Sequence, residues 1–199
     1  MAVRGSYIKG VAKREEILSV ALEVVAAKGY GRATVRELAE AVGLTQAGLL
    51  HYFSSKEELF TEILRLRDER DSGGYTNSAV PTVNMVDAYV GTIRHNAQVP
   101  GLVQLFARLS AEATDSESLA HDYFAARYAT LREYIATSIR AMQQTGDLPA
   151  DVDADAVARI FIAVSDGLQT QWLIEPNFEM ADVMTYLARQ LGLGGTARA

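Results

Sequence analysis

"TVRELAEAVGLTQAGLLHYFSSKEELF" (residues 34–60) is the stretch that decides the fold of this chain. Two short segments with apolar residues at helical spacing flank Gly43, and each opens on a threonine. Thr34 precedes the first, and Glu37 three residues later completes a capping box. Thr45 can cap the second, which the pattern carries through Tyr52 or Phe53. Helices this short are marginal alone. Two of them keep a fixed relation only if a small residue lets their backbones approach, a glycine makes the turn and apolar side chains fill the angle. Ala39, Gly43 and the set Leu38, Val42, Leu44 and Leu49 meet those needs. This is a helix-turn-helix, whose second helix enters the major groove of DNA with its first residues toward base edges. The outward positions of that helix are Thr45, Gln46, Ala47, Gly48, His51 and Tyr52. Gln46 suits an adenine edge, whereas His51, Tyr52 and Lys56 suit phosphates.

Around this stretch nearly every segment has helical periodicity, and the chain is expected to be all-α. Ile17, Leu18, Ala21, Leu22 and Val25 form one stripe over residues 11–28, with Gly29 just past its end. Ser55 can cap a fourth helix running to about Arg70, with Glu57 and Glu58 in the first turn, where the helix dipole favours anions. "DSGGYTNSAVP" (residues 71–81) reads as a loop. Further helices are expected at 83–98, 101–113, 118–145, 153–174 and 179–191, separated by Pro100, Gly146 with Pro149, and Pro176. The tail "GLGGTARA" is expected to fray.

The 199 residues are 49% hydrophobic and 22% charged, enough for one large or two small domains with a real core. There is no cysteine, which excludes disulfides, cysteine-ligated zinc and thiol catalysis and fits a reducing cytoplasm. "MAVRGSYIKGVAKREEIL" lacks the continuous apolar core of a secretory signal, and the longest apolar run, residues 160–164, is too short to span a bilayer. A soluble, cytoplasmic protein with no membrane partner is expected. The net charge is −6, yet residues 1–36 carry Arg4, Lys9, Lys13, Arg14, Lys28, Arg32 and Arg36 against only Glu15, Glu16 and Glu23. A basic head on an acidic body suggests separate jobs for the two parts.

Residues 13–60, above all "GYGRATVRELAEAVGLTQAGLLHYFSSKEELF" (residues 29–60), resemble the N-terminal domain of the TetR family of transcriptional regulators. The resemblance implies a three-helix DNA-binding domain (1–55) joined by a connecting helix to a larger helical ligand-binding and dimerisation domain (56–199). It further implies a homodimer, a double-stranded DNA operator and a small-molecule effector, with no cofactor. It puts Arg36, Thr45, Gln46, Ala47, His51, Tyr52 and Lys56 at the DNA. Two positions depart from the family pattern: Ala47 stands where glycine is frequent, and Leu50 where a phosphate-contacting tyrosine is usual.

The C-terminal two-thirds is less specific. Residues 153–174 are apolar on nearly all sides (Ala156, Val157, Ile160, Phe161, Ile162, Val164, Leu168, Trp172, Leu173), so that helix must be covered on two faces. Met180, Val183, Met184, Leu187 and Leu191 line one stripe of the last helix. By the resemblance, these two helices and their copies form a four-helix dimer interface. An effector pocket is expected among the middle helices, drawing on Tyr89, Ile93, Phe106, Leu109, Tyr123, Phe124, Tyr128 and Trp172, with His95, Arg94 or Gln169 as polar anchors. Plain core packing competes with ligand contact for each.

No catalytic constellation or metal site is apparent. "DVDADAVARIFI" from Asp151 begins like a calcium loop but has Ala156 at the sixth place and Ile162 at the twelfth, so its acids are expected to start a helix. No phosphate-binding glycine loop, zinc-protease helix or nucleophile elbow occurs. The rival readings are a helical small-molecule-binding enzyme, or a protein-binding adaptor, with a vestigial helix-turn-helix.

Overall fold

A computed structural model describes residues 2–72 and 85–193, with side chains from 10 to 70 and from 85 to 193. Among the described residues the elements are all helices. In chain order they are α1 (Ala2–Lys28), α2 (Val35–Ala41), α3 (Gln46–Leu50), α4 (Lys56–Ser72), α5 (Met85–Asn96), α6 (Pro100–Glu112), α7 (His121–Gln144), α8 (Ala154–Ile174) and α9 (Met180–Gln190). The predicted loop lies outside the described residues from residue 73 onward, and so do residues 194–199 of the tail.

Several boundaries differ from those read in the sequence, among them the start of α7, which lies at His121 instead of residue 118 because residues 118–120 form a turn. The first helix begins at Ala2, not at residue 11. The apolar stripe begins later, but residues 2–10 contain no proline, and a helix already nucleated gains one hydrogen bond per added residue. Conversely, α3 ends at Leu50, with His51 as its C-cap, instead of reaching Tyr52 or Phe53. Phe53 turns inward and is almost completely buried, so the chain leaves the helical direction to bring Ser54 and Ser55 to the head of α4.

The chain forms two compact units. The first comprises the residues up to 70 together with 99–123, and the second takes the described residues among 71–98 and 124–199. Within the first, α1 packs on α2 and α6, and α2 packs on α3. Ile17, Ala21 and Val25, one turn apart on α1, are fully buried, as the stripe predicts. Gly101 lets α6 cross the end of α1 at backbone contact. A Cβ there would collide with the Val25 carbonyl and lie 2.8 Å from the Gly29 Cα.

In the second unit α9 packs on α5 and α8. Ile135 and Ile139 of α7, Phe161 of α8 and Met184 of α9 are fully buried in its core. Asp153 caps α8, its carboxylate accepting from the Asp155 and Ala156 N–H groups at 3.0 Å each. The calcium-like run is therefore a helix start. The inward face of α8 carries Val157, Phe161, Ile162, Ser165, Leu168 and Gln169. Ala156, Ile160 and Ala163 on its other side are exposed, as are Val183 and Tyr186 of α9.

Candidate nucleic-acid interface

The helix-turn-helix is built by backbone chemistry that the sequence specifies. Thr34 Oγ1 accepts from the Glu37 N–H at 3.1 Å, and the Glu37 carboxylate accepts from the Thr34 N–H at 3.1 Å, closing the capping box. The hydrogen bond from the Thr34 backbone, more than any other influence, holds Glu37 below the usual carboxylate range. At the other end of α2, Gly43 takes φ 69°, a conformation glycine adopts without penalty. Its N–H reaches the Glu40 carbonyl and the Leu44 N–H reaches the Ala39 carbonyl, at 3.2 and 2.8 Å, so the turn satisfies two of the carbonyls at the end of α2. Leu38, Ala39, Val42 and Leu49 are buried in that angle, while Leu44 is half-buried. Thr45 Oγ1 then caps α3 by accepting from the Gly48 N–H at 3.0 Å.

Leu49 points inward, so α3 presents its other sides to solvent. Thr45, Gln46, Ala47, Leu50 and His51 are exposed, and Tyr52 is half-buried with its ring edge-on to His51 at 5.7 Å. Arg36, on α2, is exposed and pairs with Glu40 at 2.9 Å. Lys56 stands at the first turn of α4, its ammonium 5.2 Å from the Tyr30 ring centre and 5.3 Å from that of Phe60. Those ring faces attract a cation and restrict where the side chain rests.

One brace was not legible in advance. Arg14 of α1 donates to Glu58 at 2.8 Å and to Glu62 at 3.3 Å on α4, and its Nε lies 3.5 Å from the Tyr52 carbonyl. Its guanidinium also sits 4.6 Å from the centre of the Phe53 ring. Glu58 in turn accepts from the Ser54 N–H and hydroxyl, both at 2.6 Å, while its own N–H donates to Ser55 Oγ at 3.0 Å. The Ser54 hydroxyl foremost, with Arg14 adding, holds Glu58 below the usual carboxylate range. One arginine thus ties α1, the chain just past α3 and the start of α4 together. Sequence spacing could only have shown that Arg14 lies on α1.

The expected effector-lining residues are divided between the two units. Phe106 and Tyr123 fall in the first, both buried. There the Tyr123 hydroxyl donates to Asp68 of α4 at 2.6 Å, and Arg65 lies 5.1 Å from its ring centre. Tyr89, Ile93, His95, Phe124, Tyr128, Gln169 and Trp172 belong to the second unit. Tyr89 meets Phe161 edge-on at 5.8 Å, and Phe124 lies 6.1 Å from Tyr128. His95 is exposed, and its neighbour Asn96 takes the inward place, donating to the buried Gln169 at 3.5 Å. The Tyr128 hydroxyl donates to Asp166 at 2.8 Å. Burial, reinforced by the Asp166 charge, pushes the Tyr128 phenol up, and burial raises the Asp166 carboxyl. Asn96 and Asp166 are absent from the sequence-derived set. For Asn96 a signal existed, since it lies three residues after Ile93 and seven after Tyr89 on one helical face.

Comparison with known proteins agrees with this architecture. Residues 17–63 match the model of bacterial regulatory proteins of the tetR family, and residues 85–192 match the C-terminal domain of BetI-type transcriptional repressors. The HTH-type transcriptional regulator UidR of Escherichia coli (strain K12) is 24% identical over 158 residues, spanning 78% of this chain and 79% of that protein. A TetR transcription regulator from Haloarcula marismortui superposes with a TM-score of 0.77 at 18% identity, covering 92% of this chain and 97% of the other. A regulator from Saccharomonospora viridis, solved in complex with choline, has a TM-score of 0.66 at 25% identity over 89% of this chain and 93% of its own. The chain belongs to the TetR family of DNA-binding transcriptional regulators, with a C-terminal domain of the BetI repressor type. Among the described residues no helix is long and apolar enough to cross a membrane.

Proposed function

We propose that this chain is a cytoplasmic, homodimeric repressor that a small molecule releases from a palindromic operator. Residues 1–55 would read DNA, and residues 56–199 would bind the effector and the second copy. The observation that carries the reading is the face of α3. It is capped by Thr45, anchored inward by Leu49 and open along Gln46, Ala47, Leu50 and His51. A dimer presents two such faces, and these must match major-groove segments about 34 Å apart, or a multiple of that, on one side of the duplex. An effector with higher affinity for a conformation that breaks this spacing shifts the population off DNA, by no more than that difference in affinity.

Gln46 is assigned to a base edge and Lys56 to phosphate. The Gln46→Ala variant should lose about 1–3 kcal/mol at one base pair of each half-site and accept other bases there, as read by competition among operator variants. Lys56→Ala should instead weaken all sequences alike. Its plot of log affinity against log salt should flatten by about 0.9 for each phosphate no longer neutralised, or about 2 for a dimer. An unchanged slope would remove Lys56 from the interface.

For the effector, the second unit offers aromatic rings at Tyr89, Tyr128 and Phe161 and a carboxylate at Asp166. Rings and a carboxylate together suit a compact organic cation. The regulator from Saccharomonospora viridis that holds choline makes quaternary ammonium compounds the first class to test. The experiment is selection of duplexes from random DNA by the purified protein, followed by titration of the complex with such cations. Failure to enrich any sequence at low salt would overturn the reading.

A further inference from the structure

We propose that Leu50 is a specificity-determining residue of the DNA interface, and that it reads the 5-methyl group of a thymine. The inference rests on the proposed DNA-reading role of α3 and deepens it. Successive residues of an α-helix are rotated by about 100°, and the fully buried Leu49 fixes which direction is inward. On that wheel the outward centre falls between Ala47 and His51, and Leu50 projects between Gln46 and Ala47. Leu50 is therefore nearer the middle of the open face than Gln46. It is 40% exposed, one turn on from Gln46 and Ala47.

A single exposed leucine is ordinary on a protein surface. This one is distinguished by its neighbours, because Gln46, Ala47 and His51 beside it are all exposed on the same short helix. A leucine has no donor for a phosphate and no polar atom for a base edge. In the major groove the apolar group on offer is the thymine 5-methyl, and an A·T pair presents that methyl beside the adenine N6 and N7 that suit a glutamine. Ala47 adds little bulk next to Leu50, so a methyl can approach across it. Gln46 and Leu50 together would select the same A·T pair or adjacent ones. The competing occupant of an apolar side chain at this place is the deoxyribose of the backbone, which carries no sequence information.

Replacing thymine by deoxyuridine removes only the methyl and separates the two. The probe is the duplex that the full-length protein enriches from random sequence, remade with single thymine-to-deoxyuridine changes placed symmetrically in both half-sites. One position per half-site should weaken the parent protein about fourfold for each methyl removed, the size expected for burial of one such group. Leu50→Ala should bind the thymine and deoxyuridine duplexes equally at that position. Leu50→Met, which keeps an apolar side chain of similar length, should restore the preference. Because Leu50 lies outside the core, both variants should retain the parent's helical circular dichroism. If no deoxyuridine change weakens the parent on an enriched duplex, or if Leu50→Ala keeps the same preference, the assignment is wrong while DNA binding stands. If no duplex is enriched, the DNA-reading role of α3 fails first and the assignment with it.

Discussion

A Gly101→Ala variant should lose about 3 kcal/mol of stability, at the upper end of what overpacking ordinarily costs and enough to lower the melting temperature by about 6–12 °C. At this crossing the added methyl meets backbone. Its nearest neighbours are the Val25 carbonyl, the Gly29 Cα at 2.8 Å and the Gly29 nitrogen at 3.0 Å. A side chain in the way could rotate aside, but these atoms are fixed by the end of α1. The Gly29 N–H is bonded to the Val25 carbonyl at 2.9 Å, and Gly29 itself sits at φ 80°. Relief therefore requires α6 to move off α1. Gly91 in α5 is the control, since a Cβ there meets nothing within 4 Å. Gly91→Ala should be neutral or stabilising by up to about 1 kcal/mol through the unfolded chain. Thermal unfolding of the two variants beside the parent checks both, and equal melting temperatures would show that the crossing yields easily.

The second large effect concerns assembly. Ile160 is 43% exposed on α8, in line with Ala156 and Ala163, and Tyr186 is 64% exposed on α9 close to Val183. A two-fold dimer would bury this face against its own copy, placing each residue of the patch against the patch of the partner. Ile160→Asp puts two carboxylates into such an interface, and an unpaired buried charge is strongly unfavourable. The variant should sediment as a folded monomer at concentrations where the parent is a dimer. Its operator affinity should fall about 100-fold or more, because the second half-site is no longer engaged at high effective concentration. Parental helical content in a monomer would separate failed assembly from failed folding. A dimer of normal mass and affinity would place the interface elsewhere.

What the sequence made legible was local. The box at Thr34 and Glu37, the turn at Gly43, the caps at Thr45 and Asp153 and the buried stripe of α1 each depend on residues within a few positions of one another. Helix ends marked by proline or by a capping side chain, as at Pro100 and Asp153, were likewise readable to within a residue or two. Illegible features came from placement in space. The early end of α3 follows from where Phe53 must go, and the Arg14 brace joins residues 44 positions apart. Periodicity assigns a residue to a face without saying what that face meets, so Tyr123 and Tyr89 looked equivalent in the sequence. One hydroxyl is committed to Asp68, and the other ring packs on Phe161 in a different unit.

The five residues of α3 could not hold a helix in isolation, so its persistence is borrowed. Leu49 is sunk in the surrounding core, the Thr45 cap closes one end, and Arg14 holds the chain just past the other. The amide of the buried Leu49, bonded to the Thr45 carbonyl at 2.9 Å, should therefore exchange with solvent deuterium only in a larger cooperative opening that frees α1 and the start of α4 at the same time. The exposed first-turn amides of Gln46 and Ala47 should exchange early.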